Sequence, residues 1–420
     1  MGLLNVLAGT ALSRRGLAGG VHDAMSMTGV AVEEDMRTGF FSRKRGGAAG
    51  ALGGMVLLGL SACSAGADIP MTERSGVHDF RVTRLAGGLD HPWGLAFLPD
   101  GRILVTEREG ALRIVGPDGL EPEPVRGTPE VYASGQGGLL DVVLHPDFAE
   151  NRLIYLSFAG RGDGGAGTEV ARARLADGAL TGLDVIFRQK PKVGGGRHFG
   201  SRLVFAPDGT LFISMGDRGS HMNEAQNLGT HIGTIARIKD DGSVPPDNPF
   251  VGREGALPEI YSYGHRNVQG MALRPGTSTI WAQEHGPRGG DEVNILRPGR
   301  NYGWPAITYG IDYSGAIISD KTEAPGMEQP VVYWVPSIAP SGMEFYDGDK
   351  FPNWRGNLFV GALAHMHLRR LVLDGDRVTE QEVLLDDLEE RIRAVKQGPD
   401  GYLYVLTDSS GGDLLRLEPL

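Results

Sequence analysis

The sequence predicts an all-β protein, and more specifically a six-bladed β-propeller. Short apolar strands recur in pairs joined by tight turns, and no long stretch has the apolar spacing of an amphipathic helix. The 65 glycines and 25 prolines follow no collagen-like period. They fall between the short apolar runs, where these residues are typical of turns.

The clearest strand pair lies in residues 196–219. Two runs of alternating apolar residues flank Pro207-Asp208-Gly209, which predicts an antiparallel hairpin. His198 precedes the first run and Asp217 follows the second, so the hairpin should bring both side chains to one edge of the sheet. The same pattern occurs at 92–107, and looser copies follow at 138–156, 270–282, 342–360 and 392–406.

These six copies start roughly 45 to 72 residues apart, which is in the range of propeller blades. Radial closure of six such units would protect the sheet edges. A β-sandwich is the structural alternative, but it would not explain six similar hairpins.

The charge balance argues against a nucleic-acid-binding protein. The 420 residues include 41 basic and 52 acidic side chains, a formal net charge of -11. Phosphate neutralisation needs a basic face, so a small neutral ligand fits better.

The N-terminal part indicates export. Arg43-Lys44-Arg45 precedes a run of small and apolar residues that ends in Leu60-Ser61-Ala62-Cys63. This order resembles a bacterial lipoprotein signal, in which Cys63 is lipidated and becomes the first mature residue. A short membrane anchor and a buried apolar segment are the alternatives. We therefore expect a protein exported to the periplasm or the cell surface and tethered to the membrane by a lipid.

The same pattern divides the chain. We expect an over-extended translation start at 1–35, a lipoprotein-type signal peptide at 36–62, a linker at 63–76 and the propeller domain at 77–420. Cys63 is the single cysteine, so no intrachain disulfide can form.

Polar residues beside the hairpin strands are the candidate functional groups, since propeller loops surround the central channel. His198 lies among glycines, where it suits a general base, although a loop histidine that caps a carbonyl is equally expected. Asp217 suits an orienting carboxylate or, alternatively, an Asx-turn. Arg266, in the tight loop 264–267, suits binding of a carboxylate or a developing oxyanion, unless it is simply solvated.

Two further groups indicate charged ligands. Arg391 and Arg393 are two residues apart on one strand, so they share a face and their repulsion favours an anionic partner. The alternative is a solvated edge that pairs with Glu389 or Glu390. Gly286-Pro287, in a loop that ends in Asp291-Glu292, offers carbonyl and carboxylate oxygens of the kind that calcium binds.

Together these motifs resemble the soluble quinoprotein glucose/sorbosone dehydrogenase family, and within it the bacterial aldose sugar dehydrogenases. The resemblance runs from about Phe80 to Leu420. It is carried by residues 135–140, 198–219, 264–270, 285–294, 301–305 and 391–393. It implies a six-bladed propeller that holds pyrroloquinoline quinone (PQQ) and calcium over its channel.

The resemblance also implies a role for each catalytic candidate. His198 would take the proton of the anomeric hydroxyl of the sugar while hydride moves to the quinone, and Asp217 would hold His198. Arg266 and Asn267 would contact the quinone oxygens. Gln136 would lie near the cofactor or the sugar.

The remaining implied roles concern charge. Arg391 and Arg393 would neutralise the carboxylates of the cofactor. Main-chain oxygens of Gly286 and Pro287 would bind the calcium that polarises the quinone. Glu292 and Tyr302 match a second, structural calcium site of the family.

Two positions are less regular. Ala364 stands where the family often has a lysine beside the cofactor, which implies partial replacement by His365, weaker PQQ binding or loss of the cofactor. Trp334 is the counterpart of a residue that the family places against the cofactor plane.

The implied function is PQQ- and calcium-dependent oxidation of aldoses to lactones, with electrons passed to an acceptor of quinone or cytochrome type. A non-catalytic propeller that binds a sugar or a protein is the first alternative, and the missing lysine favours it. A calcium-dependent lactone hydrolase is the second, but it needs a metal surrounded by several carboxylates and asparagines.

Overall fold

The hairpin that follows His198 shows how the local sequence builds the repeated unit of the fold. In the computed structural model, the Ala206 N–H donates to the Thr210 carbonyl at 2.8 Å. Gly209 takes a φ of 80°, which a residue with a side chain rarely adopts. The turn aligns Leu203 with Ile213 in the antiparallel register. The predicted hairpin is therefore confirmed.

The structure describes residues 71–420, in which each of the six predicted hairpins begins one antiparallel sheet. Blade 1 comprises Pro92–Phe97, Ile103–Glu107, Leu112–Gly116 and Gly119–Leu120, and blade 2 comprises Leu139–Leu144, Leu153–Gly162, Gly165–Ala176 and Ala179–Arg188. Blade 3 comprises Leu203–Phe205, Leu211–Ser214, Thr234–Ile238 and Ile260–Tyr263, and blade 4 comprises Val268–Leu273, Ile280–Glu284, Asp291–Ile295 and Val332–Trp334. Blade 5 comprises Pro340–Phe345, Leu358–Ala362, His367–Asp374 and Arg377–Leu384.

Blade 6 joins the two ends of the described chain. Ile392–Gln397, Leu403–Thr407 and Gly412–Pro419 pair in that order, and Gly412–Pro419 also pairs with the N-terminal strand Asp79–Leu89. Met71–Arg74 adds a fifth strand at the edge. The predicted linker 63–76 is therefore wrong at its C-terminal end. Met71–Arg74 alternates half-buried and exposed residues at a sheet edge, so its sequence carries no apolar strand signal.

The blades close into a ring around a channel. The first strand of each blade contacts the first strand of the next, and the first strand of blade 6 contacts that of blade 1. This closure confirms the six-bladed β-propeller. The ends of the inner strands surround the channel, which is where the polar candidates lie.

Apolar clusters between the blades hold the ring together. Between blades 5 and 6, Phe351 stacks on Trp354 with ring centroids 4.2 Å apart, and Phe80 packs edge-on against Trp354. Full burial of such aromatic side chains contributes roughly 2 to 3 kcal/mol each. This packing between the blades supports the strand ends around the channel.

Helical structure is minor. In the part of the chain that the structure describes, one α-helical turn, Phe148–Asn151, and three 3-10 turns, Met222–Gln226, Pro352–Trp354 and Asp386–Leu388, connect strands. No helix within residues 71–420 is long and apolar enough to cross a membrane. Cys63, the signal peptide 36–62 and the N-terminal extension 1–35 lie outside the described residues.

Candidate active site

A cavity of about 500 Å³ lies at the channel, and strand ends and loops of several blades line it. The charged and polar groups at its wall include Arg108, Gln136, His285, Arg391, Arg393 and Asp408. These residues come from segments next to blades 1, 2, 4 and 6. The propeller therefore gathers side chains that are far apart in the sequence.

His198 and Asp217 form a buried pair, as the sequence predicts from the hairpin. The Nδ1 atom of His198 lies 2.6 Å from Oδ1 of Asp217. Because a carboxylate only accepts, Nδ1 carries the proton and Nε2 keeps a free lone pair. The Gln136 side-chain oxygen accepts the backbone N–H of His198 at 2.8 Å, which ties His198 to the wall of the cavity.

Asp217 is itself held by two further donors. Trp304 Nε1 donates to Oδ2 at 2.9 Å, and the Gly219 N–H donates to Oδ1 at 2.7 Å. The Asx-turn that the sequence offered as an alternative thus coexists with the contact to His198. Both oxygens are fixed, so Asp217 fixes the orientation of the imidazole.

Burial lowers the pKa of His198, and the nearby Arg266 charge lowers it further, against the opposing effect of Asp217. Burial raises the pKa of Asp217, but the hydrogen bond and charge of His198 and the Arg266 charge outweigh it, so the net pKa is lowered. The pair therefore consists of a neutral histidine and an aspartate anion at neutral pH. This is the state that a general base requires.

Arg266 is buried rather than solvated. Its Nη1 donates to the His285 carbonyl at 3.1 Å, and its guanidinium lies 5.3 Å from the centroid of the Trp304 ring. Next to it, Asn267 accepts the Gly200 N–H through Oδ1 at 3.2 Å. Within residues 71–420, Arg266 Nε and Asn267 Nδ2 are buried without a partner. These donors suit acceptor oxygens of a ligand.

Arg391 and Arg393 share one face, and one aspartate contacts both. Asp408 accepts from Arg393 Nη2 at 2.7 Å and from Arg391 Nε at 3.3 Å. The alternative pairing with Glu389 or Glu390 is therefore not the one that the described residues form. Ile392 pairs with Thr407 across the hairpin, so the residue that follows Thr407 is brought next to both arginines.

A third arginine, Arg108, lines the same cavity. It donates to the Gly135 carbonyl at 3.0 Å, and its Nε is buried without a partner in the described part of the chain. Three guanidinium groups thus face a single carboxylate, Asp408. The wall keeps a net positive charge, which suits an anionic ligand.

Ala364 also lines this cavity, whereas His365 does not belong to the lining of any described pocket. His365 is exposed in the turn after the strand Leu358–Ala362, with a φ of 61°. The structure therefore gives no support for His365 as a replacement cation. Arg108 contributes a further positive charge to the wall of this cavity.

Trp334 does not face the cavity. It lies in the outermost strand of blade 4, where it packs near Trp281, and its Nε1 donates to Gln381 at 2.8 Å. The expectation that it lies against a cofactor is wrong, because an outer strand is remote from the channel.

The Gly286-Pro287 loop is closed by Asp291. The Gly286 N–H donates to Asp291 Oδ1 at 2.8 Å, and the N–H groups of Ile338 and Ala339 donate to Oδ2. A Cβ on Gly286 would lie 2.3 Å from the Gly289 oxygen, so only glycine fits. Within residues 71–420, neither carbonyl of Gly286-Pro287 accepts a hydrogen bond.

Glu292 and Tyr302 line one small cavity together with Glu284. Burial, followed by the charge of Glu284, raises the pKa of Glu292 to about 8. Asn294 Oδ1 is buried nearby without a described partner. The Tyr302 hydroxyl donates to the Ile295 carbonyl at 2.6 Å and accepts the Arg297 N–H. Only the main-chain oxygen of Tyr302 therefore remains for a metal.

No group of three or more His, Cys, Asp or Glu side chains that could hold a metal occurs in the described chain. A metal in this region would thus need main-chain or amide oxygens in addition to any carboxylate.

Sequence reasoning missed Arg108, Asp408 and the roles of Trp304 and His285. Arg108 and Asp408 each follow a blade strand directly, as the predicted candidates do, so the same rule would have found them. His285 is half-buried at the cavity wall, and burial together with the Arg266 charge lowers its pKa well below the usual value. No pattern in the sequence distinguishes that histidine from a structural one.

Comparisons with known proteins agree with this geometry. The family model described as Glucose / Sorbosone dehydrogenase matches residues 89–416. The aldose sugar dehydrogenase YliI of Escherichia coli is 51% identical over 344 residues, covering 80% of this chain and 92% of the relative.

Two solved structures place the resemblance in three dimensions. The apo-form of the soluble aldose sugar dehydrogenase from Escherichia coli has a TM-score of 0.79 at 50% identity, covering 81% of this chain and all of that one. The PQQ-bound aldose sugar dehydrogenase from Streptomyces coelicolor has a TM-score of 0.66 at 28% identity, covering 84% and 100%. The chain therefore belongs to the glucose/sorbosone dehydrogenase family of oxidoreductases, which confirms the family and the enzyme class that the sequence predicts.

Proposed function

We propose that this protein oxidises aldose sugars at the anomeric carbon to lactones and that it uses PQQ and calcium. The observation that carries the proposal is the pair of neutral His198 and anionic Asp217 next to a cationic cavity. Gln136 ties His198, whose Nε2 is free, to the cavity wall, and this wall carries donors without partners in residues 71–420. The relatives whose names state aldose oxidation and PQQ binding support the same assignment.

The cavity fits PQQ, a planar tricarboxylate with two quinone oxygens. Arg108, Arg391 and Arg393 supply the charge that the carboxylates need. Buried Nε atoms of Arg108 and Arg393 and the Nε2 atom of His285 lack partners in the described residues, and a ligand rich in acceptors would satisfy them. Arg266 and Asn267 would hold the quinone oxygens.

The oxygen donors near the cavity fit calcium. The free carbonyls of Gly286 and Pro287 would bind the ion that accompanies the cofactor. At the second place, Glu284 and Glu292 repel each other, which a divalent cation would relieve. Asn294 Oδ1 and the main-chain oxygen of Tyr302 would complete that site.

The chain's own residues perform the acid–base part of the reaction. His198 Nε2 takes the proton of the anomeric hydroxyl, and Asp217 stabilises the imidazolium that forms. Trp304 keeps Asp217 in place, and Arg266 lies close enough to favour a neutral histidine before the reaction. When bound, PQQ supplies the two-electron acceptor for the hydride and calcium polarises it.

The pH dependence of the reaction follows from the lowered pKa of His198. A base works only when deprotonated, so kcat/KM should be constant above the ordinary histidine pKa of 6.5 and fall only at lower pH. The measurement is kcat/KM between pH 4.5 and 8, with the stability of the protein checked at each pH. An inflection above the usual histidine value would contradict a buried, neutral base.

The test of the function is reconstitution. We expect dye-linked oxidation of aldoses only when PQQ and calcium are both added to the purified apoprotein. Each is also added singly, and a chelator is added to the complete mixture as a control. Sugar turnover and quinone absorbance retained after desalting are both measured, so that binding and catalysis are separated.

The outcomes of this experiment differ clearly. Activity that requires both additions supports the proposal. Retained quinone absorbance without turnover would leave a cofactor-binding protein that lacks the reaction. Loss of the absorbance on desalting would contradict the PQQ assignment itself.

The cellular setting is part of the proposal. Export, lipidation at Cys63 and an electron acceptor of quinone or cytochrome type rest on the sequence pattern around residues 36–63 and on the reaction class. The mass of the mature N-terminal peptide would test this: a diacylglycerol-modified Cys63 is expected, and an unmodified N-terminus upstream of it would contradict the assignment.

A further inference from the structure

Tyr313 is an exposed aromatic residue with no evident structural task. Tyr313 is 68% exposed to solvent. The other exposed tyrosine, Tyr333, stacks on Tyr309 with ring centroids 3.8 Å apart. Tyr313 stacks on no aromatic ring among residues 71–420. The Tyr313 ring is therefore accessible to a ligand.

The loop holds Tyr313 in a fixed position. Asp312 accepts the N–H of Ser314 at 2.8 Å and the Ser314 hydroxyl at 2.6 Å, and its own N–H donates to Ala316. The preceding residue, Ile311, forms an isolated bridge with Arg288. This bridge ties the turn to the loop that carries Gly286-Pro287. A loop backbone held in this way loses little entropy when a ligand binds.

Tyr313 stands beside the catalytic groups. Its ring centroid lies 6.0 Å from Cζ of Arg266. Arg266 in turn is near enough to lower the pKa of both His198 and Asp217. On another side the Arg266 guanidinium lies 5.3 Å from the Trp304 ring, and Trp304 holds Asp217. The exposed ring therefore belongs to the entrance of the site rather than to a remote surface.

We propose that Tyr313 is a substrate-positioning residue: its ring supports the apolar C–H face of a pyranose whose anomeric hydroxyl meets His198. This inference rests on the proposed function. A pyranose has hydroxyl groups at its rim and C–H groups on its faces. The polar groups of the site can hydrogen-bond the hydroxyl groups, and the exposed aromatic ring can pack against the apolar C–H face. The phenol hydroxyl adds a donor and an acceptor for the sugar hydroxyls.

The test compares three variants of the PQQ- and calcium-loaded protein. Tyr313→Ala should raise KM for glucose about tenfold with kcat changed less than about threefold, because a stacking contact is lost while the base remains. Tyr313→Phe keeps the ring and should stay within about threefold of the wild type. Ile317→Ala is the matched control, since Ile317 is 73% exposed on the same loop and lines a different cavity, with Met222 and Pro305.

Saturation-transfer NMR of glucose with the same proteins gives a readout that does not depend on turnover. Tyr313→Ala should lose most of the transfer to the sugar C–H protons, whereas Tyr313→Phe and Ile317→Ala should retain it. Unchanged KM and transfer in Tyr313→Ala would overturn the inference while leaving the dehydrogenase intact. Sugar binding that depends on Tyr313 in a protein without turnover would support the inference and overturn the proposed function.

Discussion

His198→Ala is expected to lower kcat/KM for aldose oxidation by about a thousandfold, within the range typical of a lost general base. Among residues 71–420, the variant removes the one group beside Asp217 that has a free lone pair. Binding of PQQ should change little, because the charges that hold it come from arginines in other segments. The measurement is steady-state kinetics after reconstitution, with PQQ affinity determined separately.

The geometry explains why this effect should be large. His198 takes a φ of 52°, a left-handed conformation that residues with side chains rarely adopt. Gln136 holds its backbone and Asp217 holds its ring, so the strain is offset by fixed contacts. Backbone strain of this kind is retained at sites where the orientation of a side chain matters for function.

His145→Ala is the matched control for this prediction. His145 lies near Tyr155 and bonds Asn151 in blade 2, and it is not part of the cavity wall. Its removal should leave kcat/KM within about threefold, as is usual for residues outside a site. A His198→Ala enzyme that keeps more than about a tenth of the wild-type rate would show that another group takes the proton.

The repeated hairpins could be predicted because their signal is local. Alternating apolar residues around a turn such as Pro207-Asp208-Gly209 determine the strand pair within a few residues. The strand pair that closes blade 6 could not be predicted, because Asp79–Leu89 and Gly412–Pro419 lie at opposite ends of the domain sequence. Nothing in either strand specifies its partner, and only ring closure brings them together.

The site residues also divide into those that local sequence places and those that only the tertiary fold brings together. His198 and Asp217 were found because one hairpin joins them, and the positions of Arg391 and Arg393 follow from one strand end. The Asp408 contact depends on cross-strand register, and Trp304 reaches Asp217 from a loop 87 residues away. Trp334 was misplaced because a motif gives no information on whether a strand is inner or outer.

Burial also determines pKa values and hydrogen-bond partners that the sequence does not predict. Glu292 was expected as a calcium ligand, and its raised pKa arises from enclosure with Glu284 in a small cavity. Tyr302 was expected beside it, yet its hydroxyl is occupied by main-chain partners. The residues of this candidate calcium site were therefore predictable from the sequence, whereas the atom that each residue offers to a metal was not.

Arg393→Ala is expected to weaken PQQ binding by about a hundredfold, because a buried charge-assisted contact to a carboxylate is lost. Arg393 is 5% exposed and is held by Asp408 and by Gln269 at 2.8 Å, so it is positioned before any ligand arrives. Equilibrium binding of PQQ to the apoprotein measures the loss without any contribution from turnover.

Arg391→Ala provides the internal comparison. The Arg391 side chain is 49% exposed, so water screens its charge and its loss should cost threefold or less, about the weight of a surface ion pair. Burial raises the pKa of Asp408, but the charges of Arg393 and then Arg391 lower it to about 2, so Asp408 is ionised at neutral pH in the unmodified protein. Thermal unfolding of both apoproteins shows whether the fold is intact. Equal losses in the two variants would mean that general positive charge, not the buried guanidinium, selects the cofactor.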